Sequence, residues 1–216
     1  MDPQAILGWL RRLIALDAKV FDEIRANPAA TVPAVIIVSL ATFLFGLGGW
    51  LWWTLEDFPQ RSDVFIHSAV IGSLIAIVLW GIAWLGVVYV MLSQVFRERV
   101  YLEQLLRVMG LAAAPLCLGF LMFIPGLSFA IALVAVTFTF GLTGIAIQSV
   151  TTANPARVLA ANAAGFALWA LVLTFLASTG AASVKPNAPG IFLYRTTASV
   201  ASDFVNLGNQ LEDLLQ

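Results

Sequence analysis

Charge is what this chain has least of. Only 11% of its 216 residues are Asp, Glu, Lys or Arg, against about 25% in soluble domains. Hydrophobic residues make up 61% and mean hydropathy is +0.94, so the solvent for most of the chain is lipid. The net charge of −1 leaves no basic excess for nucleic acid and no solvating acidic block. Nucleic acid is set aside as a partner. The one cysteine, Cys117, lies inside an apolar run, where it makes no intrachain disulfide and no metal site by itself. Histidine is also single. His67 is the one weak cofactor-binding candidate, able to ligate a haem or chlorophyll-like metal through a neutral ring nitrogen. One histidine cannot build a bis-histidine site, and an interfacial ring held by water and headgroups is the ordinary reading. No cofactor and no metal are expected. Ser68 is only adjacent to His67 and has no third group to orient a triad, and the chain has no Gly-rich phosphate loop. Catalytic residues are therefore not expected, and neither is an enzyme. The first 32 residues mix Arg11, Arg12, Lys19 and Arg25 with Asp2, Asp17, Asp22 and Glu23, which is not the pattern of a cleaved signal peptide.

Long apolar runs are what the chain does have. A membrane-spanning helix needs about 20 mainly apolar residues, because lipid offers no partner to an open peptide group. Five stretches qualify: Pro33 to Trp53, Ser68 to Leu92, Val108 to Ile124, Leu127 to Gln148 and Leu159 to Ser178. None contains Asp, Glu, Lys or Arg, which weighs against a proton-coupled transporter. Their few polar residues, Ser39, Thr42, Ser73, Thr137, Thr139 and Thr143, fit interhelical contact. Small-residue strings such as Gly72 to Ala76 and Ala163 to Ala167 fit it as well.

Eight Lys and Arg residues fall in the N-terminal tail and the even-numbered loops, and three (Arg61, Lys185, Arg195) fall on the opposite side. The positive-inside rule then predicts an N-terminus in the cytoplasm and a C-terminus outside. Trp50, Trp52 and Trp53 cluster where the first span should leave the membrane. The tetrapeptide Ala-Asn-Pro-Ala occurs at 26–29 and again at 153–156, each time before an outward-going span. Asn is a favoured N-cap and Pro a favoured first helical residue, so Asn27-Pro28 and Asn154-Pro155 are two uses of one helix-start device. Pro115 should interrupt span three, and Pro125-Gly126 should make a turn tight enough to leave spans three and four antiparallel. At 17 residues, span three reaches only about 25 Å, which leaves a re-entrant hairpin open.

Two amphipathic flanks complete the pattern. Ile6, Leu10, Leu13, Ile14, Val20, Phe21 and Ile24 share one face of the N-terminal tail, as in a helix lying on the membrane surface. In the other tail Val200, Phe204, Leu207, Leu211 and Leu214 repeat that spacing after a Pro/Gly-rich linker, with Asp203, Glu212 and Asp213 beside them. Those five apolar residues are the candidate partner-binding surface, facing a protein rather than anionic lipid. The expected organisation is a cytoplasmic segment over 1–32, a membrane domain over 33–178 and an outer linker and tail over 179–216. The fold class is all-α, a polytopic membrane bundle of five transmembrane helices with amphipathic helices in both tails.

The string Leu102 to Gly110, the run ending at Pro115 and the Ile124-Pro125-Gly126 turn resemble the Yip domain of the Ypt-interacting-protein family. By span count, topology and proline placement the resemblance covers about residues 20 to 178. It implies an integral five-helix bundle which, in eukaryotic members, works with small GTPases in Golgi and endoplasmic-reticulum traffic. This chain lacks the acidic N-terminal region of those members, and its nearest acidic-aromatic-proline string, Glu56 to Pro59, lies on the other side of the membrane. That departure points to a multi-pass protein of a bacterial inner membrane. The expected function is non-enzymatic organisation of lipids or partner proteins; the partners are membrane lipids and other membrane proteins. An accessory subunit of a respiratory or photosynthetic complex is the alternative, followed by a passive channel or lipid scramblase.

Overall fold

The computed structural model describes residues 3–15, 17–55, 65–124 and 126–180, all helices and short connections with no strand among them. Helix α1 is Pro3–Ile14 and α2 is Val20–Ala26. A 3-10 turn at Pro28–Ala30 leads into α3, Thr31–Leu55. Helix α4 covers residues 65–95, α5 is Leu102–Ala112, α6 is Ser128–Val150 and α7 is Pro155–Gly180. Five helices among the described residues are long and apolar enough to cross a membrane. The chain is a multi-pass membrane protein.

The five form a ring. Around it the order is α3, α4, α7, α6, α5 and back to α3, each packed against the next. Helix α2 lies across one end of the ring, against α5 and α6, with Val20, Phe21 and Ile24 fully buried. That end also holds α1, the 96–101 segment and the 151–154 connection, and every described charged residue lies at or near it. We call it the basic end.

The third span differs from expectation at both ends. It starts at Leu102, not Val108, so Glu103 and Arg107 lie in its first turns and the span is free of charge only beyond residue 107. Beyond Ala112 the expected kink at Pro115 takes the form of a change of helix type. Residues Ala114–Phe123 wind as a 3-10 helix, with Leu116 N–H bonded to the Ala113 carbonyl at 3.0 Å. Proline has no N–H for the i−4 carbonyl, and i→i+3 bonding is the nearest substitute. The tighter helix rises about 2.0 Å per residue, so residues 102–123 reach about 36 Å and cross a core of about 30 Å. The short third span that left a re-entrant hairpin open is thereby lengthened.

Helix α4 alternates α turns with wider π turns at Phe65–Gly72, Trp80–Leu85 and Met91–Val95. It contains no proline, and nothing in its sequence accounts for them.

Candidate functional site

The basic end is held by two arginines that bridge separate elements. Arg107, only 7% exposed, donates from Nε to Thr31 Oγ1 (2.8 Å), from Nη1 to the Arg25 carbonyl (3.1 Å) and from Nη2 to Glu103 (3.0 Å). The start of α3 and the end of α2 are thus tied to α5. Arg25 in turn donates to the Ser149 carbonyl at the end of α6. Carbonyls at a helix C-terminus lack intrahelical partners and carry partial negative charge, so a guanidinium is well matched to them.

Helix α1 is fastened to α2 by a polar latch. Glu23 accepts from Trp9 Nε1 (2.8 Å) and from Arg12 Nη1 (2.7 Å), and Arg12 Nε also reaches Asp17 Oδ2 (2.8 Å). The Trp9 N–H holds the Glu23 carboxyl below its usual range, with Arg12 adding to the effect against burial. Arg12 does the same to Asp17 and is itself raised by that hydrogen bond. The apolar arc of α1 is divided. Trp9 and Leu13 are buried, whereas Leu7 and Ile14 are 55% and 84% exposed.

In the connection between α4 and α5 exposure alternates. Arg97, Arg99 and Tyr101 face outward, Val100 is buried and Glu98 is half-buried. Glu98 is anchored three times, by its N–H to the Leu92 carbonyl (2.9 Å), by an ion pair with Arg157 (3.6 Å) and by a hydrogen bond from the Thr152 hydroxyl (3.4 Å). Arg157 also lies over the Phe96 ring, 5.7 Å from its centre. Arg97 takes φ +56°, a left-handed conformation uncommon for a residue other than glycine.

Within the ring a polar contact centres on Asn162, fully buried in α7. Its Oδ1 accepts from Trp84 Nε1 of α4 (2.9 Å) and its Nδ2 donates to the Phe140 carbonyl of α6 (3.0 Å). Trp84 stacks edge-on with Phe166 at 5.0 Å, and Trp169 Nε1 donates to the Ala76 carbonyl (3.1 Å). A half-open cavity of about 40 Å³ is lined from all five spans, by Thr42, Phe45, Ala76, Leu116, Val136 and Trp169 among others. The Thr42 hydroxyl is committed to the Val38 carbonyl at 2.7 Å.

Asn27 Oδ1 accepts from the Ala29 N–H (3.0 Å) and Asn154 Oδ1 from the Ala156 N–H (2.9 Å), with Pro28 and Pro155 each opening the helix that follows. Gly126 has φ +75° and ample room for a Cβ, so the turn requires its conformational freedom rather than its small size. Pro125, the His67 side chain and the five tail residues Val200, Phe204, Leu207, Leu211 and Leu214 lie outside the described residues. Sequence reasoning missed Arg107 and Asn162. The signal for Asn162 was a lone side-chain amide inside the fifth apolar run; the signal for Arg107 was its i,i+4 spacing from Glu103.

Together the ring and its basic end define an α-helical multi-pass membrane protein with a surface helix latched across one end. The profile of the Yip1 domain matches residues 13–181, from the end of α1 to the end of α7, and the chain belongs to that family. Comparison with curated proteins and with solved structures found no match.

Proposed function

We propose that this Yip1-family protein is a non-enzymatic organiser of lipids or partner proteins, working through its basic end at the cytoplasmic face of a bacterial inner membrane. The observation that supports this most is the divided apolar arc of α1. One half is committed to α2, while Leu7 and Ile14 remain open beside the exposed Arg11. A helix free to float would bury its whole arc in the headgroup region. A helix latched by Trp9, Arg12 and Glu23 instead holds half of it in a fixed place, as a docking element does. The apolar spacing of Val200, Phe204, Leu207, Leu211 and Leu214, outside the described residues, is read from the sequence as a second place for a protein partner.

Photo-crosslinkers at positions 7 and 14 of the full chain in membranes test the proposal. The expected products are lipid or membrane-protein adducts at both positions; a Trp9→Ala/Glu23→Ala variant, its α1 free to float, should lose the membrane-protein adducts and keep those to lipid. Turnover of a soluble substrate by the reconstituted protein, abolished by one substitution, would replace this reading with an enzymatic one. Orientation has its own test. In a Cys117→Ser background, a cysteine at Asn187 should react with a membrane-impermeant reagent in spheroplasts and one at Gln104 should not.

A further inference from the structure

We propose that the connection between α4 and α5 is a binding site for anionic phospholipid, with Arg97 and Arg99 taking the phosphate and Val95, Tyr101 and Leu102 seated at the edge of the hydrocarbon. This rests on the reading of the basic end as a lipid- or partner-organising face and names its ligand.

Charge accounting carries the first step. Every described carboxylate has an arginine within 3.6 Å: Asp17 and Glu23 on Arg12, Asp22 on Arg25, Glu103 on Arg107 and Glu98 on Arg157. Arg97 and Arg99 have no carboxylate within ion-pair reach among the described residues, and both are exposed. Glu98, the acid between them, is drawn inward to Arg157 and does not neutralise them.

Placement carries the second. The helices on either side end at Val95 and resume at Leu102, the last and first residues of two membrane-crossing helices. Arg97 and Arg99 therefore lie two and four residues beyond the end of the charge-free α4, which places them at headgroup depth on that side. Val95 is 58% exposed, Tyr101 69% and Leu102 48%. Apolar and tyrosyl groups exposed at that level match the interfacial belt of membrane proteins, and a soluble phosphate would use none of them.

Rigidity carries the third. The buried Val100 and the anchored Glu98 pin the segment between them, so the exposed Arg97 and Arg99 are carried on a fixed stretch of backbone. Two residues of chain reach at most about 7 Å between Cα atoms, so both arginines can converge on one headgroup. Guanidinium matches phosphate oxygens in a two-point geometry that an ammonium cannot copy.

The test titrates the full-length protein in neutral detergent micelles with dioleoyl phosphatidylglycerol or dioleoyl phosphatidylcholine, counting bound lipid by native mass spectrometry. Wild type should bind the anionic lipid about 25-fold more tightly, about fivefold for each of the two cations. Arg97→Gln/Arg99→Gln should weaken that binding about 25-fold, about fivefold per cation at a membrane surface, and leave phosphatidylcholine unchanged. Arg97→Lys/Arg99→Lys should recover part of the loss. Equal binding of the two lipids by wild type, an unchanged double Gln variant, or an equal fall for both lipids would each overturn the proposal. So would displacement of the lipid by inorganic phosphate at equal concentration, since the site would then take a free anion. If the preference is absent while positions 7 and 14 still crosslink, only this inference fails; if both are absent, the reading of the basic end fails with it.

Discussion

The contact of α3 with the third span and the contact of α4 with α7 solve the same problem in opposite ways. Helix association in lipid gains nothing from excluding lipid tails, so it depends on close backbone approach or on specific side-chain contacts. The first contact uses approach. A Cβ on Gly48 would collide with the backbone of Gly119 and come within 2.8 Å of Phe120 Cα, and one on Gly110 would come within 2.8 Å of the Ala34 carbonyl oxygen. The second uses bulk and polarity. Trp84, Phe166 and Trp169 fill the space between the helices, and Asn162 Oδ1 accepts a hydrogen bond from the Trp84 indole N–H. Even there one glycine is needed, because a Cβ on Gly165 would lie 2.6 Å from the Trp84 carbonyl oxygen. A backbone contact cannot give way to an added atom, whereas a side-chain contact can turn.

The largest expected effect breaks the first contact. Gly48→Ala should cost about 3 kcal/mol, the upper end of overpacking, because what it meets is backbone. At Gly119 the obstacle is the Phe45 ring. Gly119→Ala should therefore be rescued by Phe45→Ala, while no side-chain truncation rescues Gly48→Ala. Unfolding in detergent against added dodecyl sulfate measures both, and an equally rescued Gly48→Ala would remove the distinction. Next in size is Arg107→Met, expected to cost about 2 kcal/mol by removing charged hydrogen bonds from Thr31 and the Arg25 carbonyl. Its loss should loosen the start of α3 more than its far end, as read by residue-level hydrogen exchange. The second contact should prove milder. A double-mutant cycle on Trp84→Phe and Asn162→Leu should give a coupling of about 1 kcal/mol, the scale of hydrogen bonds between membrane helices. A coupling near 3 kcal/mol would make the polar contact the equal of the glycine one.

The same contrast explains what could be read from the residues alone. Apolar runs announce membrane spans because lipid demands closed backbone bonding, and the Asn-Pro pairs announce helix starts because their partner is two residues away. Both are local facts. Asn162 finds Trp84 across 78 residues of sequence and Arg107 finds Thr31 across 76, and no periodicity encodes a partner at that distance. The start of the third span at Leu102 was hidden for a related reason. Arg107 counts as a loop charge by hydropathy, and its three hydrogen bonds offset the cost of burying its charge. The 3-10 winding around Pro115 combines the two: proline signals an interruption locally, but the residues it is packed against, Gly48 and Phe45 of α3, lie about 70 residues away.

The smallest expected effect concerns α1, where an exposed ionic latch is added to the buried Trp9 and Leu13. Glu23 and Asp17 are held below their usual range in the folded protein, so their contribution is present above the unfolded carboxylate value of about 4.3 and is lost as pH falls through the lowered folded values. The latch should then be closed at neutral pH and open in the acid window below about pH 4.3. The Glu23 side chain is 54% exposed and that of Asp17 37%, so solvent screening keeps the change small, at most about fivefold in the opening equilibrium. Hydrogen exchange of residues 5–14, corrected for intrinsic rates at pH 7 and pH 3.5, should show that opening, with α3 and α7 unaffected. Glu23→Gln keeps an acceptor for the Trp9 indole but gives up the charge that Arg12 pairs with, so it should reduce the acid response and leave the part due to Asp17. If protection of α1 is the same at both pH values, the buried Trp9 and Leu13 hold it without help from charge, and α1 belongs with the packed side-chain contacts of the ring.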